Sequence, residues 1–206
     1  MRLILPGLLM LLMLLPIGIS SGSERRPVKS LLELRREGVV IQGWDLSCGA
    51  AVLATLLAYQ HDDPVPEQEV ATELLRRKHF LDEANPTTIR LGFSLLDLKQ
   101  YADERGYRGV GFAHLGLTDL VELAPTIAPV RFNGYDHFVI FRGVLGNRVL
   151  LADPAWGNRT MLIAKFMKAW IDYPGLGYVG FVVQRRDGLE PANRLQPRPS
   201  DFPMLR

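Results

Sequence analysis

One cysteine, Cys48, occurs in 206 residues. No internal disulfide can form, so the thiol is free, paired with another molecule, or reactive. Neither sign of charge dominates: 24 Lys and Arg stand against 22 Asp and Glu, a formal net charge of +2. That balance lacks the basic stripe by which a nucleic-acid binder neutralises phosphates, so no nucleic-acid partner is expected. Short clusters such as Glu24-Arg25-Arg26 and Arg35-Arg36 read as solvated surface. Past residue 23 no apolar run reaches spanning length, and there is no internal repeat.

The one long apolar run is N-terminal. Arg2 is a short basic head, Leu3 to Leu15 is apolar, Pro16 and Gly18 interrupt it, and Ser20, Ser21, Gly22 and Ser23 follow. This is the order of a secretory signal peptide over residues 1–23. The stretch is short and broken by proline, so export is favoured over a spanning helix. An uncleaved anchor is the alternative, and this segment is the only expected membrane contact. Loss of residues 1–23 removes Arg2 and no acid, taking the formal charge from +2 to +1. About 160 residues then form one domain, at 24–184, large enough for a proper core. Residues 185–206 hold four prolines and little periodicity, and read as a flexible C-terminal tail.

The cysteine lies in Gln42-Gly43-Trp44-Asp45-Leu46-Ser47-Cys48-Gly49-Ala50. Ala51 to Tyr59, rich in Ala and Leu without Gly or Pro, reads as a buried helix. Asp45 or Ser47 is placed to cap it. Cys48 then sits at the first turn, where the partial positive charge of a helix N-terminus favours thiolate. Gln42, six residues upstream, carries an amide that can turn back toward the thiol. The competing reading is a small, inert, buried Cys. Export shifts the balance, because an idle exposed thiol is a liability in an oxidising compartment.

Helices are expected over 28–36, 66–77 and 94–105, the last capped by Ser94 and ended by Gly106. A short helical turn follows at 118–123. Strands are expected at 107–112, 128–132, 137–144, 148–153, 158–163 and 178–183, with a short helix at 165–170 before the last. Helices followed by a run of strands argue α+β with an antiparallel sheet.

A cysteine nucleophile needs a base, and the base needs an orienting group. Among four histidines, His61 and His79 adjoin charged loops and helix ends and read as solvated; His114 follows a strand without an evident partner. His137 opens a strong strand. If 137–144 and 148–153 form a hairpin, the start of one lies beside the end of the other, and His137 neighbours Asp153. A turn-forming Asp-Pro is the competing reading for Asp153. Asp136 is a rival carboxylate, but adjacent strand residues point to opposite faces. Gln42, with the Cys48 backbone N–H, can supply oxyanion donors; an ordinary polar loop residue is the alternative.

Gln42…Cys48-Gly49-Ala50-Ala51, Gly92-Phe93-Ser94-Leu95-Leu96-Asp97-Leu98, His137-Phe138-Val139, and Asp153-Pro154-Ala155 with Gly157 together resemble the papain-like double-glycine cysteine peptidases, from about residue 35 to 183. The short helix Lys165 to Trp170 fits as well. The family comprises the peptidase domains of bacteriocin-exporting ABC transporters and their stand-alone relatives. The resemblance implies a papain-like fold with N-terminal helices packed on an antiparallel sheet. It makes Cys48 the nucleophile, His137 the base and acid, Asp153 the orienter and Gln42 the oxyanion donor, with no metal or other cofactor. The family cuts leader peptides after Gly-Gly, usually on the cytoplasmic side. These 206 residues hold no transporter domain, carry an export signal, and have Ser47 where the family often has Asp. An exported stand-alone member resembles the peptidase-like component of bacterial functional-amyloid (fap-type) secretion systems. That implies a periplasmic location and, as partner, an amyloid subunit or its outer-membrane exporter. A cleft that binds the export substrate without cutting it, as an adaptor or chaperone, is the second reading. Acyl transfer to an amine in place of water is the third.

Overall fold

The computed structural model describes residues 28–76 and 92–198. The expected signal at 1–23 and the whole loop expected over 79–90, with His79, lie outside them. In chain order the helices are α1 (Leu31–Arg36), α2 (Cys48–Thr55), α3 (Glu67–Arg76) and α4 (Leu95–Glu104). Then come β1 (Tyr107–Phe112), α5 (Leu117–Glu122), β2 (Thr126–Phe132), β3 (Tyr135–Leu145), β4 (Arg148–Asp153) and β5 (Gly157–Leu162). The chain continues through α6 (Ile163–Ala169), β6 (Asp172–Tyr173), β7 (Gly177–Tyr178) and β8 (Gly180–Arg185).

Six strands form one antiparallel sheet in the order β1-β8-β2-β3-β4-β5, and β6 and β7 pair separately. The α+β reading holds. Side chains alternate across the sheet, as strand geometry requires. Ile127, Ile140, Ala152 and Phe181 pack with Leu53 and Leu56 of the α2 region, Leu74 of α3 and Leu98 of α4. Ala128, Val130, Val139, Phe141, Val149 and Leu151 pack with Leu120 of α5, Phe166 of α6 and Trp170. The sheet is therefore a middle layer with a core on each side. Fully burying a side chain such as Phe141 or Phe166 contributes on the order of 2–3 kcal/mol.

Local chemistry sets the helix ends. Ser30 and Ser94 each accept from the backbone N–H three residues on, while Glu33 and Asp97 reach back to the cap N–H groups. Gly106, at φ +92°, ends α4. Helix α2 is hydrophobic all round and wholly buried. It runs on as a π-helical turn, Leu56–Gln60, for which the sequence carries no signal.

Three expectations fail. Ser47 occupies the cap position of α2 but does not cap it: its hydroxyl donates to Trp44 O at 2.9 Å, and Asp45 is exposed. His61 is not solvated: it is buried, with Nε2 3.0 Å from Val183 O. The loose tail expected from 185 does not hold through 198. Leu195 is 1% exposed in the core. Arg194 N–H donates to Tyr59 O and Gln60 Nε2 to Asn193 Oδ1. These contacts satisfy the backbone at the end of the π-helical turn, which is why an aperiodic segment stays put.

Candidate active site

Cys48 opens α2 and is buried. Because Ser47 turns away, the residue at the cap position does not cap this helix, and among the described residues its first N–H groups keep hydrogen-bonding capacity for another acceptor. Gly49 is required beside it: a Cβ there would lie 3.2 Å from Phe93 Cβ and 3.5 Å from Leu98 Cδ2. The glycine lets the first turn of α2 close against α4.

His137 lies near the start of β3, opposite Val130 of β2. Its Nε2 is 2.9 Å from Asp153 Oδ1 at the end of β4. Cys48 is near enough to act on its titration; with Nε2 committed to the carboxylate, Nδ1 is the nitrogen left for the thiol. The expected hairpin thus brings His137 and Asp153 together, and α2 presents Cys48 to the imidazole. Asp136, by contrast, forms an exposed ion pair with Arg131, and His114 is exposed at φ +55°.

Asp153 is fully buried. Besides His137 it accepts from Ala155 N–H at 2.9 Å and from Arg159 Nη1 at 3.1 Å. Burial alone would raise its carboxyl. The hydrogen bond and charge of His137, with the Ala155 N–H and Arg159, hold it below the ordinary value instead. Burial pulls His137 down, but hydrogen bonds to Asp153 and Cys48 and their negative charge push it up to about 9. The imidazole therefore carries a proton at neutral pH. Arg159, whose guanidinium also lies over the Phe132 ring at 5.1 Å, escaped the sequence reading. Its only signal was position, six residues after Asp153 on the returning strand.

The segment that carries Gln42 is tied to the turn after β4 and to β5. Gln42 N–H donates to Pro154 O at 2.9 Å, and Asn158 Nδ2 donates to Glu37 O at 2.7 Å. The Gln42 amide donates through Nε2 to Trp44 O at 2.9 Å. Its Oε1 is buried with no partner among the described residues. Among those residues no group of three or more His, Cys, Asp or Glu side chains comes together to hold a metal. No helix there is long and apolar enough to cross a membrane. Thiol, imidazole and buried carboxylate in succession form an arrangement able to generate a thiolate and return its proton to a leaving group.

Comparison with known proteins relates the chain to others in sequence and in fold. The chain is 35% identical over 151 residues to the probable functional amyloid protease FapD of Pseudomonas aeruginosa, covering 72% of this chain and 64% of that protein. It is 34% identical over 146 residues to the protein of the same description from Pseudomonas fluorescens, covering 70% and 62%. The match thus spans somewhat less than two thirds of those relatives. The fold is shared with a double glycine motif protease from an AMS/PCAT transporter, solved in complex with the leader peptide (TM-score 0.56, 24% identity, 71% of this chain and 90% of that one). It is shared equally with the peptidase domain of Streptococcus ComA, a bifunctional ABC transporter of a quorum-sensing pathway (TM-score 0.56, 18% identity, 72% and 98%). Residues 36–174, from the end of α1 through the strand after α6, match the peptidase C39 family model, and the chain belongs to that family of cysteine peptidases.

Proposed function

We propose that this chain is a periplasmic cysteine peptidase that cuts an exported, amyloid-forming substrate after a Gly-Gly pair. The observation that carries the reading is the succession Asp153–His137–Cys48, with 2.9 Å between the first two and Cys48 near enough to the imidazole to raise it. In the first step the Cys48 proton resides on His137 and the thiolate attacks the peptide carbonyl. A C–S bond forms and the carbonyl electrons move to oxygen. The N–H groups at the start of α2 and the Gln42 amide receive that oxyanion. The C–N bond then breaks, and His137 gives its proton to the departing amine. Water attacks the thioester, passing a proton to His137, and the C–S bond breaks to release the carboxylic acid. Asp153 holds the imidazole orientation and stabilises its charge throughout.

The N-terminal signal pattern supports the periplasmic location. The printed description of the Pseudomonas relatives supports an amyloid subunit as substrate, its outer-membrane exporter being the neighbouring partner. The double-glycine description of a fold relative supports the cleavage site. The complete set of Cys, His and Asp weighs against a binding adaptor, which needs none of their chemistry.

The test is mass spectrometry of Gly-Gly-containing peptides incubated with the purified protein. Cleavage is expected with the wild type and is lost in Cys48→Ala, which melts at the same temperature. Processing that survives Cys48→Ala would sink the proposal. Export that persists in a Cys48→Ala strain but fails with changes at Trp44 and Trp156 would favour the adaptor.

A further inference from the structure

Beside the cluster lies a groove of about 800 Å³ whose walls include Arg35, Arg131, Arg148, Arg159, Lys165 and Lys168 and, among the described residues, no carboxylate side chain. For a chain of net charge +2 this is a local concentration of positive charge. Arg131 and Arg159 are partly neutralised, by Asp136 and Asp153. Among the described residues the Arg148 guanidinium bonds only to the hydroxyl and carbonyl of Thr160. Among the described residues Arg35, Lys165 and Lys168 join no ion pair. Arg35, exposed as the sequence reading expects, lines this groove. Phe132, Met161 and the 66% exposed Trp156 add apolar contact. Cations interleaved with apolar surface suit a peptide in which carboxylates alternate with aliphatic side chains.

The groove's position fixes which part of the peptide it meets. His137 delivers its proton to the leaving amine, so the segment that departs with the amine lies on the His137 side of Cys48. The groove opens on that side. Phe132 lies 6.4 Å from the His137 ring, centroid to centroid, and Arg159 holds the second oxygen of Asp153. We infer that the groove binds a carboxylate-rich segment immediately C-terminal to the scissile bond, an assignment that rests on the peptidase reading above.

The probe is a fluorescein-labelled peptide with Gly-Gly followed by alternating Asp, Glu and Ala, beside its Asn/Gln counterpart. Both are titrated by anisotropy against full-length Cys48→Ala protein. The acidic peptide is expected to bind about tenfold more tightly and to weaken as salt rises from about 0.05 to about 0.3 M. Adding Lys165→Glu and Lys168→Glu reduces its affinity about tenfold, whereas Lys165→Arg with Lys168→Arg retains it; circular dichroism checks that each variant is folded. Equal affinity for the two peptides, or indifference to the charge reversals, would overturn the inference. So would tighter binding of oligo(dT) or phosphatidylglycerol vesicles than of the acidic peptide. The same pair offered to the wild type separates the two proposals. Selective binding with no cleavage of either peptide overturns the peptidase reading and leaves an acidic-peptide groove. Cleavage of both at equal kcat/KM overturns the groove and leaves the peptidase.

Discussion

His137 and Asp153 share a face of the sheet because β3 carries one extra residue, Arg142. From the hairpin turn outward the pairs are Leu145 with Arg148, Val144 with Val149, and Gly143 with Leu150. The register then slips to Phe141 with Leu151 and Ile140 with Ala152. Paired residues lie on one face, so extending this register sets Asp153 across from Val139 and on the side of His137, two residues further along. Without the slip Asp153 would stand across from Ile140, and His137 would point away from it.

Arg142 anchors the slip. It is buried, and donates to Leu195 O at 2.8 Å, Asn158 Oδ1 at 2.7 Å and Gln196 O at 3.3 Å. Arg142→Met keeps the length of the strand but removes these charge-assisted bonds and leaves their acceptors unpaired. Stability is expected to fall by roughly 3 kcal/mol, read as a lower urea midpoint with unchanged m. Alkylation of Cys48 slows as the hairpin loosens. A variant within roughly 0.5 kcal/mol of wild type would show that the bulge holds without its arginine.

The two titrations of the pair predict opposite pH limits. His137 is raised from 6.5 to about 9. Its stabilising contribution is complete below the unfolded value and disappears as pH rises through about 9. The shift corresponds to on the order of 3 kcal/mol. Asp153 is lowered, so its contribution is present above the unfolded carboxyl value and is lost as pH falls through the folded one. Wild type should lose more stability than His137→Gln between pH 6 and pH 10 in urea unfolding. The kcat/KM of the wild type should fall on an alkaline limb near 9, as the imidazolium that protonates the leaving amine disappears. An alkaline limb near 6.5 would contradict the raised value.

Local signals carried much of this to the reader of the sequence. Strands 107–112 and 148–153 fall where composition and turn residues place them, and Ser94 with Asp97 is a cap written in the chain. The hairpin alone pairs His137 with Asp153, but the shared face depends on the bulge at Arg142. A slip that depends on Arg142 finding Leu195, 53 residues away, leaves no local trace. The same holds for His61, whose burial depends on Val183, and for the π-helical turn at Leu56–Gln60. Arg159 and Lys165 carry no local mark of the groove, because the groove that gathers them exists only after β5 and α6 fold back beside β2.

Gly157 supplies a backbone test. It has φ +84°, and a Cβ there would lie 2.2 Å from Arg35 O, far inside contact distance. The close approach seats the end of α1 on the start of β5, and from there residues 37–42 run beside the turn after β4. Gly157→Ala adds left-handed strain of about 1–3 kcal/mol and forces α1 outward. A drop in urea midpoint is expected together with reduced kcat, because Gln42 reaches the site along this segment. Gly38→Ala, also at positive φ but with open space around its Cβ, is the control; it should lose only the strain and leave kcat alone.

Gln42 combines one satisfied end with one unsatisfied end. Its Nε2 donates to Trp44 O, while Oε1 is buried without a partner among the described residues. An amide nitrogen carries two hydrogens, so one remains for an oxyanion after Trp44 takes the other. An orphaned buried oxygen costs about 1–3 kcal/mol, and a net hydrogen bond returns roughly 1. Truncation to alanine removes both, and Gln42→Ala should therefore be as stable as wild type or more so. A donor to the oxyanion, by contrast, contributes on the order of 100-fold or more in rate. The expected variant melts no lower than wild type, binds peptide equally well and has kcat reduced about 100-fold. Gln42→Glu should be no faster, because a carboxylate repels the charge it would need to stabilise. A wild-type kcat in Gln42→Ala would assign the oxyanion to the α2 backbone alone and reduce Gln42 to a tether for Trp44.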